Sequence, residues 1–247
     1  MEYLLKTTLI GLFFGTFGTT IGGIIGVTFK SSSNKFLSFI LSLASGLMIS
    51  IVCFDLVPEA LEISGIPLII IGILLGVICM IACDVLVQKK FNTNIKNVKT
   101  SDTLLKTGII VSIGLALHNF PEGLSIGAGF GASLKLGYSL ALAILLHDIP
   151  EGISMAVPMK NGGMKITKVI LYVILSGVTT GIGAFFGALV GTISQEIIAI
   201  CLSFAAGAML YIVSGELIPE SNKLYKGRMS SVGNIIGFIL GILATTI

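Results

Sequence analysis

Two near-copies of one hexapeptide, His118-Asn119-Phe120-Pro121-Glu122-Gly123 and His147-Asp148-Ile149-Pro150-Glu151-Gly152, hold the only two histidines of the chain. On a helix, residues i and i+4 stack on one face, so His118 lies above Glu122 and His147 above Glu151, with Asn119 and Asp148 offset by one position. Two such helices crossing antiparallel would surround one volume with two imidazoles, three carboxylates and an amide oxygen. Imidazole suits zinc, iron or nickel, carboxylate and amide oxygens admit manganese, and the lack of thiolate argues against copper(I). The set exceeds what one tetrahedral ion needs, so it can hold two ions or pass one along.

The surroundings of the motifs are apolar, which sharpens the inference. A charged residue near a bilayer centre costs roughly 2.5 to 3.5 kcal/mol on insertion scales, so imidazole and carboxylate at that depth call for a cation or for each other. Pro121 and Pro150 leave the carbonyls of Leu117 and Leu146 without their helical donors. Each helix is therefore predicted to kink within the motif, with the following glycine letting the turn open toward a cavity.

The chain of 247 residues is 54% hydrophobic and 11% charged, with a mean hydropathy of +1.04, against about 25% charged residues in a soluble domain. This is the composition of an integral membrane protein whose partner is the lipid bilayer, and its net charge of +3 does not suggest a nucleic-acid surface. Stretches long enough to span, about 20 residues each, run over 3–29, 36–61, 66–87, 104–130, 136–158, 166–193, 197–219 and 231–247. They predict helices 1 to 8 of a single transmembrane domain, 1–247. Lys6, near the start of the first stretch, precedes a long apolar run without a small-x-small cleavage pattern, which predicts a retained spanning helix.

Thirteen of the fifteen basic residues fall in loops 1-2, 3-4, 5-6 and 7-8 with their flanks: Lys30 and Lys35; Lys89, Lys90, Lys96, Lys99 and Lys106; Lys160, Lys165 and Lys168; Lys223, Lys226 and Arg228. Lys6 and Lys135 lie on the other side. The positive-inside rule makes those loops cytoplasmic and puts both termini outside. That partition requires an even number of helices.

Ser42 to Glu62 aligns without gaps on Ser203 to Lys223, with Gly46 on Gly207, Met48 on Met209, Pro58 on Pro219, Glu59 on Glu220, and Asp55 opposite Glu216. Helices 2 and 7 are thus equivalents that cross in opposite directions. The predicted fold class is an all-α polytopic membrane protein, eight transmembrane helices with an inverted repeat of the outer helices around a central helix 4/helix 5 pair. Glycines spaced by four, such as Gly72 and Gly76 or Gly183, Gly187 and Gly191, predict close packing within one chain or between protomers of a homodimer.

Other polar residues admit plainer readings. Asp55, Glu59, Glu216 and Glu220, near the ends of helices 2 and 7, are interfacial acids or an entrance and exit. Cys53, Cys79, Cys83 and Cys201 read as packing residues, and Cys79, Cys83 and Asp84 as a weak second-site candidate.

At His118-Asn119-x-Pro-Glu-Gly and His147-Asp148-x-Pro-Glu-Gly the sequence resembles the ZIP (Zrt/Irt-like protein) family of divalent metal transporters, in its bacterial form. The resemblance extends to the eight helices, the outer termini and the repeat. It implies that His118, Asn119, Glu122, His147, Asp148 and Glu151 bind metal, joined by a methionine of helix 2, for which Met48 is the candidate. Relatives that place a Glu in helix 6 after a Ser-Gly pair bind a second metal; here Ser176-Gly177 is followed by Thr179 and Thr180. The histidine-rich loop of many relatives is also missing between helices 3 and 4.

The expected function is import of Zn2+, with Fe2+, Mn2+ and Cd2+ as further candidate cargo, into the cytoplasm by alternating access of one repeat against the other, with no cofactor and no covalent chemistry. The inward direction and the bacterial cytoplasmic (inner) membrane come from the resemblance. An intramembrane metal-dependent hydrolase is the rival from another class, but it needs a general base and an open coordination position, and here each helix offers His-x-x-x-Glu interrupted by proline. A metal-selective channel or sensor is the other alternative.

Overall fold

The computed structural model describes residues 1–28, 33–90 and 100–245, and these are helical almost throughout. Eight apolar helices follow one another: α1 Glu2–Thr28, α2 Asn34–Ile63, α3 Ile66–Lys90, α4 Thr100–Ala132, α5 Leu134–Asn161, α6 Ile166–Gly191, α7 Gln195–Leu224 and α8 Met229–Thr245. The shortest, α8, has 17 residues, about 25 Å at 1.5 Å per residue and the low end of what spans a bilayer. The protein is a multi-pass, all-α membrane protein.

Most ends fall outside the apolar stretches because helices extend into the interface. Ser33, Ser133 and Ser194 cap α2, α5 and α7 by accepting the amides of Phe36, Leu136 and Ile197, each satisfying a donor that the first turn leaves free. Hydropathy alone starts these helices two residues late. After α5 the chain turns through Gly163 at φ 87°, a left-handed conformation that suits glycine. The predicted ends at residue 29 and residues 246 and 247 lie outside the described residues, as do Lys30, Lys96 and Lys99.

A constant offset of 161 positions relates the two outer thirds of the chain. The α-helical segment Asn34–Ile51 becomes Gln195–Ile212, a π-turn Val52–Leu56 becomes Val213–Leu217, and the last segment Val57–Ile63 becomes Ile218–Leu224. The same offset joins Gly22 to Gly183, Gly26 to Gly187, Gly72 to Gly233 and Gly76 to Gly237, so the repeat covers α1–α3 and α6–α8. Ser221 Oγ donates to the Ser38 carbonyl at 2.7 Å, which ties the start of α2 to the end of α7 and shows the two copies running antiparallel.

The expected opening of the motif turns is not found: the helix continues through Pro121 and Pro150, and the turns that widen are those of α2 and α7. There, Val57 N–H donates to Val52 O and Ile218 N–H to Val213 O, five residues back. The next residues, Pro58 and Pro219, have no N–H, so the widened turn gives up one bond fewer than it would elsewhere. Gly123 and Gly152 do not open the motif; they let helices touch. A Cβ on Gly123 would collide with the carbonyl of Thr180, and one on Gly152 with the carbonyl of Thr19, its repeat counterpart.

Packing divides the helices into two bundles. In one, α1, α4, α5 and α6 pack together, with Gly18, Gly22 and Gly26 against α5 and Gly183 and Gly187 against α4. In the other, Gly46 and Gly237 join α2 to α8, and Gly76 and Gly207 join α3 to α7. The bundles meet along α4–α7 and α2–α5. Each bundle takes helices from both repeats, so rigid motion of one repeat against the other would tear these contacts. Of the cysteines, Cys201 is buried, Cys53 and Cys79 are exposed and all four are free, so packing describes Cys201 better than the other two.

Candidate metal centre

α4 and α5 place all six hexapeptide residues in the interior: His118, Asn119, Glu122, His147, Asp148 and Glu151 are at most 2% exposed. Their closest contact is between the helices, where His147 Nε2 lies 3.0 Å from Glu122 Oε1. On its other edge His147 Nδ1 is 3.2 Å from the Ala143 carbonyl. A carbonyl can only accept, so Nδ1 carries the proton and Nε2 is the nitrogen free to bind a metal in the neutral ring. Such an outer hydrogen bond fixes tautomer and ring orientation in metal-binding histidines.

Glu122, His147 and Glu151 each offer a ligand atom, and these atoms lie within 4.8 Å of one another. Two ligands of a tetrahedral zinc, each about 2.1 Å from the ion, are roughly 3.4 Å apart, so modest side-chain rotation closes the set on one ion. Around this trio, Asp148 Oδ1 lies 3.7 Å from His147 Nε2, and His118 is in electrostatic range of Glu122 and Glu151.

The polar atoms here are conspicuously unpaired. Among the described residues, Glu122 Oε2, both oxygens of Asp148, both oxygens of Glu151, Asn119 Oδ1 and both ring nitrogens of His118 are buried with no hydrogen-bond partner. A buried carboxylate without donors costs several kcal/mol, and native proteins rarely leave such groups unsatisfied. Three acids converging on one volume favour a multivalent cation over protein donors.

Supporting contacts come from both bundles. Asn119 Nδ2 donates to the Ser176 carbonyl at 3.0 Å, which turns its oxygen inward. From α7, Glu216 Oε1 stands 3.6 Å from His118 Nε2. Glu216 is also in electrostatic range of Asp84 of α3, whose carboxylate accepts the Tyr211 hydroxyl at 2.6 Å. A polar chain thus runs from His118 through Glu216 to Asp84 and Tyr211. Its repeat counterpart differs: Asp55 accepts the Ser139 hydroxyl at 3.5 Å, two helical turns before His147.

Asp84 therefore keeps company with Tyr211 and Glu216 as well as with Cys83, its neighbour in the chain. Tyr211 carries no sequence signal, since its repeat counterpart is Ser50. Met48 is fully buried in the apolar core shared by α2, α5 and α7. Thr180 is also fully buried, with its hydroxyl unpaired and its side chain lying where a Cβ on Gly15 of α1 would fall.

A sequence model of the family described as ZIP Zinc transporter matches residues 90–247, a span that holds both hexapeptides. The chain belongs to the ZIP family. Among the relatives of this ZIP protein, "Zinc transporter ZIP11" of Bos taurus is 38% identical over 138 residues, but that match covers 53% of this chain and only 40% of the bovine protein. "Zinc transporter ZupT" of Clostridium perfringens is 32% identical over 97% of this chain and 93% of its own length. "Zinc transporter ZupT" of Oceanobacillus iheyensis is 33% identical over 97% of both. These two ZupT relatives are thus matched nearly end to end.

Proposed function

We propose that the whole chain acts as one transport unit that carries Zn2+ across the cytoplasmic membrane into the cytoplasm, with Fe2+, Mn2+ and Cd2+ as further cargo. The observation that carries this reading is the set of unpaired carboxylate oxygens on Glu122, Asp148 and Glu151 around the imidazoles of α4 and α5, buried inside a membrane bundle. Family membership and relatives named as zinc transporters support it. His118, Glu122, His147 and Glu151 replace the hydration shell, Asn119 and Asp148 extend the site, and Met48 is the proposed contribution of α2.

Both termini face outside in this reading, so α3 and α7 end at the cytoplasmic face. Glu216, Asp84 and Tyr211 then lie on the inner side of the site as an exit, and Asp55 with Ser139 on the outer side as an entrance. The moving unit is the bundle α1/α4/α5/α6, which holds the six hexapeptide residues and slides against α2/α3/α7/α8. The decisive experiment is time-resolved uptake of Zn2+ and competing divalent ions into proteoliposomes, with and without imposed gradients of pH and voltage. Saturable Zn2+ uptake is expected, and its absence in correctly inserted protein overturns the reading.

The orientation has its own test. A cysteine at Gly65, between α2 and α3, should react with an impermeant thiol reagent only from outside, and one at Lys226, between α7 and α8, only from the cytoplasmic side. These are read in a background lacking the four native cysteines. The reverse pattern would invert both the topology and the inferred direction.

Ion binding should be unequal. With Thr180 supplying no charge and facing α1, a second ion would have to share Glu122 and Glu151 with the first. We expect one tight Zn2+ per chain by metal analysis after dialysis; two equally retained ions would contradict this.

A further inference from the structure

A cavity of about 420 Å³ lies between α5 of one bundle and α2 and α8 of the other, and every side chain lining it is apolar. Its inner wall includes Leu47 and Ile153, 2% and 4% exposed, whereas Leu240 and Leu243 of α8 at its mouth are 43% and 56% exposed. α2 and α5 are long and apolar enough to cross a membrane and α8 is an apolar helix packed beside them, so the mouth faces hydrocarbon. The cavity belongs to no part of the metal site, although Ile149 and Pro150 on its wall directly follow His147 and Asp148.

Volume of this size is within the range of small-molecule sites, and leaving it unfilled forfeits dispersion contacts along every wall. Water finds no hydrogen-bond partner on such walls and does not fill them. The apolar matter at hand beside the mouth is the lipid tail, which is as apolar as leucine. We propose that this cavity binds one acyl chain of a bilayer phospholipid, inserted past Leu240 and Leu243 to reach Leu47 and Ile153.

Leu43 on the cavity wall corresponds to Phe204 at the offset of 161, a position where the other copy of the repeat carries a ring. A tail lodged there would touch the helix that carries His147 while leaving its polar face untouched.

The test is photolabelling in proteoliposomes made with a phosphatidylcholine whose acyl chain carries a mid-chain diazirine, read residue by residue by mass spectrometry. Label should appear on Leu47 and Ile153, as well as on Leu75 of α3, which is 47% exposed and marks ordinary lipid contact. Leu43→Phe should cut the label on Ile153 at least tenfold and leave that on Leu75 unchanged. Leu240→Phe, which narrows the mouth, should act in the same direction and decides the matter where Leu43→Phe does not insert. Label on Leu75 with none on Leu47 or Ile153, or label on Ile153 unchanged in the inserted variants, would overturn the proposal. Metal binding is not part of the readout, so this result and that for zinc uptake stand independently.

Discussion

Glu122→Ala and Glu151→Ala are each expected to reduce saturable zinc uptake by about 100-fold or more while the protein remains inserted and folded. Losing even an outer partner of a bound metal costs about 10- to 100-fold in affinity, and these carboxylates belong to the innermost trio with His147. Removing one also removes a buried negative charge that lacks any hydrogen-bond donor at Glu122 Oε2 or at either oxygen of Glu151. The variants should therefore fold at least as well as the parent, a separation of function from stability that a merely structural acid would not give. Uptake into proteoliposomes and thermal melting in detergent, measured on the same preparations, check both halves. Parental uptake in both variants would exclude them from the site.

Gly123→Ala and Gly152→Ala should act in the opposite way, through the fold. The added Cβ on Gly123 would overlap the Thr180 carbonyl and lie 2.9 Å from Ala184 N, and that on Gly152 would overlap the Thr19 carbonyl and lie 2.9 Å from Gly23 N. Backbone cannot step aside as a side-chain tip does, so α6 must leave α4, or α1 must leave α5. Overpacking of this kind costs about 3 kcal/mol per site. Gly114→Ala, in the same helix as Gly123, puts its Cβ where no described atom beyond its own helical turns lies within 4 Å and should be neutral or stabilising. Unfolding in mixed micelles reads the three side by side. Equal stability of Gly123→Ala and Gly114→Ala would show that the helices do not approach as described.

Much of this is legible in the sequence because bilayer physics leaves few alternatives. Apolar length marks the eight helices, and the Ser42 to Glu62 alignment points to an inverted repeat whose element boundaries agree at one offset. The hexapeptides identify the residues that converge, since a stacked His and Glu on each of two crossing helices meet wherever those helices touch. The glycines after the prolines mislead, because a helix-widening and a helix-packing glycine look alike until the neighbour is known. The π-turns before Pro58 and Pro219 are also hidden, since nothing local distinguishes these prolines from Pro121 and Pro150, which α-helix accommodates. The division into two bundles depends on which helices pair across the repeats. A single sequence carries no such register, so motion of repeat against repeat is its natural expectation, whereas the packing speaks for motion of bundle against bundle.

The most direct measurement is the anomalous-difference density of zinc in crystals of the protein, collected on both sides of the zinc absorption edge. The account predicts its strongest peak between α4 and α5, about 2.0–2.2 Å from His147 Nε2 and from a carboxylate oxygen of Glu122 and of Glu151. Strong zinc density beside Cys79, Cys83 and Asp84, with none within coordinating distance of His147, would contradict it.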